Sequence, residues 1–219
     1  SGWQPIGWNE LWRYKDLFYF LVWRDIKTRY AQSVLGVGWA VIQPIFSMIV
    51  FTIVFGKLAK INSDGVPYAI FSYTALVPWT YFSGALTGAS GSLLGASGMM
   101  TKVYFPRLVI PIAPVMSKLV DFGIAFVILL LMMVYFGFMP SIQIIYLPLL
   151  ILLMMLTASG MGMWLTAMAV QYRDINYAMS FFVQLLMYAA PVVYPASNIP
   201  EPFRLIYGCF PMVGVIEGF

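Results

Sequence analysis

The chain has 219 residues, of which 62% are hydrophobic and 9% charged; its formal net charge is +4 and its mean hydropathy is +0.87. This balance is unlike that of soluble domains. The absence of histidine and the single cysteine, Cys209, exclude imidazole catalysis, disulfide frameworks and Cys/His metal sites within the chain. The Lys and Arg residues are dispersed beside apolar segments rather than gathered in a basic stripe, which argues against nucleic-acid binding.

Long stretches without Asp, Glu, Lys or Arg divide the chain. They run from Ala31 to Gly56, from Tyr68 to Thr101 and from Phe122 to Tyr172. A bilayer core requires about 20 apolar residues per helix and penalises a central charge by about 2.5 kcal/mol or more. The sequence therefore predicts an all-α, multi-pass membrane protein.

The first predicted element, Glu10 to Tyr30, is an amphipathic helix in the membrane interface. It carries too many charges to span a bilayer, and it lacks the compact apolar core of a secretory signal. Its apolar face comprises Leu11, Tyr14, Phe18 and Leu21. Residues 1–31 are predicted to form a cytoplasmic N-terminal segment, and residues 32–219 a transmembrane domain.

Five transmembrane helices are predicted in the remainder of the chain. They are Ser33–Leu58, Tyr68–Gly98, Pro111–Phe138, Ile142–Val170 and Ile175–Tyr194. The distribution of Lys and Arg over the connecting segments favours a cytoplasmic N-terminus. After Tyr194 several prolines interrupt an apolar stretch, which predicts short re-entrant helices on the outer side.

The second predicted span carries glycines on one helical face: Gly84, Gly88, Gly91, Gly95 and Gly98. Such a face allows a neighbouring helix to approach closely, and it could also border a groove for substrate. We interpret it as a packing surface.

Two predicted spans carry aromatic stripes that each include one amide. The first-span stripe is Trp39, Gln43 and Phe46, and the fifth-span stripe is Tyr177, Phe181, Gln184 and Tyr188. Aromatic faces attract the C–H groups of sugars, and an amide exchanges hydrogen bonds with hydroxyls, so these surfaces suit a sliding sugar chain. Ordinary helix packing, with interfacial aromatic belts at the ends, explains the same pattern.

Charged pairs and nucleotide motifs are scarce. Lys118 and Asp121 lie one helical turn apart near the start of the third span, a spacing that predicts a mutually neutralising pair rather than an ion-coupling site. No Gly-x-x-x-x-Gly-Lys-Ser/Thr motif occurs, so ATP would have to be used by a partner.

Several motifs, in order along nearly the whole chain, resemble landmarks of ABC-2 type polysaccharide export permeases, closest to the O-antigen (lipopolysaccharide) exporters with the teichoic acid exporters as near relatives. The first is Trp23 to Gly36, continuing to Trp39 and Gln43-Pro44. The later ones are Lys102 to Arg107, Ser117 to Asp121, Tyr172 to Ile175 and Pro211 to Phe219.

The resemblance implies a homodimer of six-span subunits in the bacterial inner membrane, each bound to a cytoplasmic ATPase that holds ATP and Mg. The cargo would be an undecaprenyl-linked polysaccharide, and the chain itself would be neither an enzyme nor a cofactor-binding protein. The two aromatic stripes would line the conduit. Residues 98–107 would form the coupling helix, and coupling to the ATPase would involve Arg24, Lys27, Arg29, Met100, Lys102, Tyr104, Phe105 and Arg107.

The chain departs from this pattern by lacking the expected sixth span. Two other classes of exporter, for teichoic acid or for capsular polysaccharide, fit the same motifs. An ion-coupled secondary carrier would require internal repeats and ionisable residues at the membrane midplane, and beyond Lys118 and Asp121 the sequence has neither.

Overall fold

The computed structural model describes residues 12–31, 36–61, 63, 65–96, 98, 106–138, 142–172, 174–195, 197, 199–200, 203 and 207–219. Regular structure in these residues is helical, which confirms the predicted all-α class. The α-helices are α1 (Lys15–Ala31), α2 (Gly38–Phe51), α3 (Tyr68–Gly95), α4 (Val109–Tyr135), α5 (Leu147–Gln171), α6 (Asp174–Ala189) and α7 (Pro211–Gly218). A π-helix, Thr52–Leu58, continues α2, and a 3-10 helix, Ile142–Tyr146, leads into α5.

Three helical stretches among the described residues are long and apolar enough to cross a membrane: Gly38–Leu58, Val109–Tyr135 and Ile142–Gln171. They correspond to the first, third and fourth predicted spans, and they support the predicted membrane class. The other two predicted spans correspond to α3, which is long but less apolar, and to α6, which has 16 residues. That α3 and α6 also cross the bilayer stays a prediction.

Helix α3 is the centre of the bundle. It packs against α2, α4, α5, α6 and α7. Its Tyr73, Tyr81 and Phe82 are completely buried. Neighbouring helices bury much of α3, including its tyrosines, Ser72 and Ser90, so these polar residues contact protein and this part of the helix does not need an apolar surface.

Tyrosine hydroxyl groups on α3 find acceptors inside the bundle. Tyr81 donates to the carbonyl oxygen of Val115 at 3.0 Å, and Tyr68 donates to that of Val193 at 2.7 Å. A buried hydroxyl without a partner would be costly in an apolar environment. These bonds therefore fix α3 to α4 and to the segment that follows α6.

The contact between α3 and α5 depends on small residues. A Cβ atom added at Gly162 would lie 2.8 Å from the Cβ of Ala89, closer than real Cβ contacts. One turn away, Thr166 Oγ1 lies 2.7 Å from the carbonyl oxygen of Ala89 and 2.6 Å from that of Gly162 in its own helix, so its one hydroxyl proton is shared between the two acceptors. Gly162 thus allows the two helices to approach closely enough for this side-chain hydrogen bond.

The π-helix after α2 is pressed against the start of α3. A Cβ atom added at Gly56 would lie 2.9 Å from Cγ of Tyr68. The wider π turn is entered at Thr52, whose hydroxyl donates to the carbonyl oxygen of Met48 at 2.7 Å. No sequence pattern predicted this change of helix type.

Helix α1 is docked on α4 rather than free at the surface. Leu21 is buried with Val109 and Ala113, and its neighbours Leu17 and Phe18 pack around them. The predicted apolar face therefore does point toward the bundle at the positions the structure describes; Leu11 lies outside them. The opposite side of α1 exposes large aromatic side chains, Trp12, Tyr19, Phe20 and Trp23.

Candidate functional site

Asp121 lies where α1 meets α4, and its carboxylate accepts from three side chains. Lys118 Nζ lies 2.9 Å from Oδ2, and Arg29 Nη1 lies 3.0 Å from the same oxygen. Tyr30 donates its hydroxyl to Oδ1. Arg29 also donates to Ser117 Oγ at 3.5 Å. We call Arg29, Tyr30, Ser117, Lys118 and Asp121 the Asp121 cluster.

The Asp121 cluster also involves α3. A Cβ atom added at Gly84 would lie 3.0 Å from Cε of Lys118 and 3.3 Å from its Nζ. The lysine side chain therefore lies directly over the glycine. One turn further along α3, a Cβ at Gly88 would lie 3.0 Å from Cβ of Pro114. Gly84 and Gly88 thus act as the packing surface expected from the sequence.

The charges of the Asp121 cluster are partly shielded from water. The solvent-exposed fractions of the Asp121, Lys118 and Arg29 side chains are 20%, 24% and 31%. Two cations face one carboxylate, so the cluster carries a net positive charge. Burial, reinforced by the hydrogen bond to Asp121 and by its negative charge, raises the pKa of the Tyr30 phenol above its ordinary value of 10.0. Tyr30 is therefore a neutral donor at physiological pH.

The other end of the glycine face borders a cavity of about 340 Å³ beside α1, which we call the α1 cavity. A Cβ atom added at Gly91 or Gly95 would meet no other group within 4 Å. The polar residues that line the α1 cavity are Arg24, Asp25, Arg29 and Ser92, and the glycines that line it are Gly88, Gly91 and Gly95. The glycine face therefore packs against α4 at one end and lines open space at the other.

Both aromatic stripes lie on exposed faces of their helices. Exposure is 48% at Trp39 and 64% at Phe46 on α2, and it reaches 84% at Tyr177 on α6. The remaining stripe residues, Gln43, Phe181, Gln184 and Tyr188, are exposed as well. Helix α2 packs against α3 and α4, whereas α6 packs against α3 and α5. A single chain thus presents two accessible aromatic surfaces.

The residues expected to couple to the ATPase fall into two groups. Met100, Lys102, Tyr104 and Phe105 lie outside the described residues. Among the others, Lys27 and Arg107 are exposed, Arg24 pairs with Asp25 at 3.0 Å, and Arg29 is bound within the Asp121 cluster.

Sequence reasoning missed the partners that α1 supplies to Asp121. The pairing of Lys118 with Asp121 could be read from a spacing of three residues, but Arg29 and Tyr30 lie some 90 residues away along the chain. The available signal was electrostatic: an Asp in an apolar helix needs cationic or hydrogen-bonding partners. In the part of the chain that the structure describes, no group of three or more His, Cys, Asp and Glu side chains could hold a metal ion.

Comparison with known proteins gives consistent matches over most of the chain. The family model "ABC-2 type transporter" matches residues 16–219. The chain is 28% identical over 213 residues to the O-antigen export system permease protein RfbA of Myxococcus xanthus. This match covers 96% of this chain and 81% of that protein. A protein of the same name from Klebsiella pneumoniae is 26% identical over 202 residues, covering 92% and 77%. The polysialic acid transport protein KpsM of Escherichia coli is 21% identical over 199 residues, covering 89% and 76%.

Proposed function

Because the chain belongs to the ABC-2 type transporter family, we propose that it is the permease subunit of an ATP-driven exporter for undecaprenyl-linked polysaccharide of the O-antigen type. The motif resemblance found in the sequence is confirmed at the level of this family. The proposed cargo is based on the similarity of nearly the whole chain to O-antigen export permeases.

The proposed topology places the protein in the bacterial inner membrane with its N-terminus in the cytoplasm. Helices α2 to α6 provide five spans, and the proline-rich segment after α6 forms re-entrant helices on the outer side. Two copies associate, and each binds a cytoplasmic ATPase that holds ATP and Mg. The exposed aromatic faces of α2 and α6 support an assembly in which these surfaces are covered or line a path.

The Asp121 cluster supports a mechanical link between the ATPase and the membrane bundle. In this proposal Lys27 and Arg107 contact the ATPase, while Arg29 holds α1 against α4. The Gly98 to Arg107 segment acts as the coupling helix. Closure of the ATPase on ATP would push this segment and α1. Because α1 is joined to α4 through Asp121, the push reaches the membrane spans.

The conduit in this proposal lies between the aromatic stripes of α2 and α6. Tyrosine, phenylalanine and glutamine side chains offer many weak contacts to sugars and no deep binding well. A long polymer can therefore slide without stalling, on the same logic that ion conduction needs sites that are weak enough to leave.

A capsular polysaccharide exporter is the second candidate, and the similarity to a polysialic acid transport protein supports it. A teichoic acid exporter shares the same motifs. An ion-coupled carrier is less well supported, because the carboxylate of Asp121 is occupied by three donors and is placed to join helices.

The test is to purify the full-length permease with the ATPase encoded beside it, and to delete the permease gene in the source strain. We expect the two proteins to co-elute, and we expect the deletion strain to lose surface polysaccharide and to accumulate lipid-linked polymer on the cytoplasmic side of the inner membrane. Analysis of the accumulated polymer separates O-antigen from capsular or teichoic acid cargo. A permease that elutes alone, together with intact surface polysaccharides in the deletion strain, would overturn the proposal.

A further inference from the structure

We propose that the α1 cavity binds the phosphate group of an anionic glycerophospholipid from the leaflet that faces α1. This site is distinct from the polysaccharide conduit on α2 and α6. The cavity measures about 340 Å³ and lies between α1, the end of α3 and the start of α4. Its depth in the bilayer rests on the proposed topology, whereas its shape and charge do not.

Two guanidinium groups line the cavity, and they are held differently. Arg29 is fixed by Asp121. Among the residues that the structure describes, Arg24 bonds to its neighbour in sequence, Asp25, through Nε and Nη2, and its side chain is 47% exposed. An exposed pair of this kind contributes at most about 1 kcal/mol, so Arg24 can turn toward a stronger acceptor at little cost. A phosphate oxygen is such an acceptor, because arginine binds phosphate through two parallel N–H groups.

The charge of the cavity comes from side chains rather than from helix ends. The last turn of α3 and the first turn of α4 both border the cavity, and their dipoles are of opposite sign there. Arg24 and Arg29 outnumber Asp25 among the lining residues. Asp121 neutralises Arg29 from outside the cavity, but the positive charge of Lys118 in turn balances the negative charge of Asp121. A net positive charge remains for an anion.

On the α3 side of the cavity the lining is small and uncharged. The end of α3 contributes Gly91, Ser92 and Gly95, which keep part of their surface exposed, and a Cβ atom added at Gly91 or Gly95 would meet no other group within 4 Å. The cavity therefore has open space along the α3 backbone beside the exposed Arg24. This arrangement fits a lipid whose phosphate meets Arg24 while its glycerol lies along the glycines of α3. An acidic side chain of a soluble partner would satisfy the arginine but would leave the space beside the glycines unfilled.

The experiment titrates the purified permease, in complex with its ATPase in detergent, with phosphatidylglycerol and measures occupancy by native mass spectrometry. Phosphatidylcholine is the comparison lipid, and polyprenyl diphosphate and inorganic phosphate are competitors. We compare Arg24→Gln with Arg13→Gln, which removes the same charge from an exposed position outside the cavity. Gly95→Leu is a second variant that fills the cavity and leaves both arginines in place.

We expect Arg24→Gln to weaken phosphatidylglycerol binding by about tenfold, because a charge-assisted hydrogen bond contributes at about that level. Gly95→Leu should weaken binding as well, because the leucine side chain occupies the space that the lipid needs. Arg13→Gln should bind like the wild type, and phosphatidylcholine should bind weakly.

Equal losses in Arg13→Gln and Arg24→Gln would overturn the site in favour of general surface attraction, and unchanged binding in both cavity variants would overturn it outright. Competition only by polyprenyl diphosphate would reassign the cavity to the lipid carrier, and competition by inorganic phosphate to a free anion. Loss of ATPase co-elution with normal lipid binding would make Arg24 part of the ATPase contact and overturn the proposal. None of these outcomes depends on whether the complex exports polysaccharide.

Discussion

Asp121 concentrates the polar interactions of α1 and α4 on one carboxylate. Three donors surround it, and the two charged ones would repel each other without it. Removing the negative charge leaves Arg29 and Lys118 partly buried without a counterion, which costs more than the lost hydrogen bonds alone. The stability of the contact between α1 and α4 should therefore be sensitive to this one residue.

We expect Asp121→Asn to destabilise the purified permease by about 1–3 kcal/mol, because partly buried charged partners lose their acceptor. In a chain of this size each kcal/mol corresponds to about 2–4 °C in Tm. Arg29→Gln and the double variant complete a cycle, and the double variant should lose clearly less than the sum of the two single losses. Asp16→Asn, in the exposed first turn of α1, serves as the control and should cost less than about 1 kcal/mol. Additive losses would show that Arg29 and Asp121 do not interact.

The hydroxyl of Tyr30 gives the cluster a pH dependence. Burial raises its pKa in the folded protein, so the folded state holds the proton at a pH where the unfolded chain has released it. The stabilisation is complete below the ordinary tyrosine pKa of 10.0 and decreases as the pH rises from there through the raised folded value. We expect the stability difference between the wild type and Tyr30→Phe to be constant from pH 7 to 9 and to shrink above pH 10. A difference that grows with pH would contradict this assignment.

At the scale of helices, the close crossing of α3 and α5 offers a matched pair of glycines. An alanine at Gly162 would press its Cβ against Ala89 at 2.8 Å, whereas a Cβ at Gly160 would meet nothing within 4 Å. We expect Gly162→Ala to cost about 1–3 kcal/mol, because overpacking forces the helices apart and lengthens the hydrogen bond of Thr166. Gly160→Ala should leave Tm unchanged or slightly raised. Thermal denaturation of the two variants in one detergent compares them, and equal Tm values would mean that the helices can separate without cost.

The sequence was informative about helices and uninformative about their arrangement. Long runs without charge reveal helices of membrane type, and the spacing of Lys118 and Asp121 reveals a contact within one helix. Contacts between α1 and α4 join residues about 90 positions apart, and no local pattern encodes them. The same limit applies to the glycine face. The spacing shows that its glycines share a face, but only the packing shows that Gly84 meets Lys118 and that Gly91 borders a cavity.

At the scale of the whole molecule, the exposed aromatic stripes allow the proposed transport role to be tested separately from assembly. We expect replacement of Tyr177, Phe181 and Tyr188 by alanine to reduce surface polysaccharide strongly in a complemented deletion strain. Binding of the ATPase should persist, because these residues lie away from the Asp121 cluster on a helix that packs against α3 and α5. The control replaces three exposed aromatics outside the stripe, Tyr135, Phe136 and Tyr146. Normal polysaccharide in the stripe variant would rule out α6 as part of the conduit.

The central position of α3 has a consequence for biogenesis. The ribosome delivers α3 to the membrane before α4, α5 and α7, which later surround it. Helix α3 is also less apolar than the three stretches best suited to crossing a membrane. In the proposed topology, α3 emerging alone would face lipid with its serines, threonines and glycines, so its partitioning from the translocon should be poor until α4 arrives. The two helices would then enter the bilayer as one hairpin.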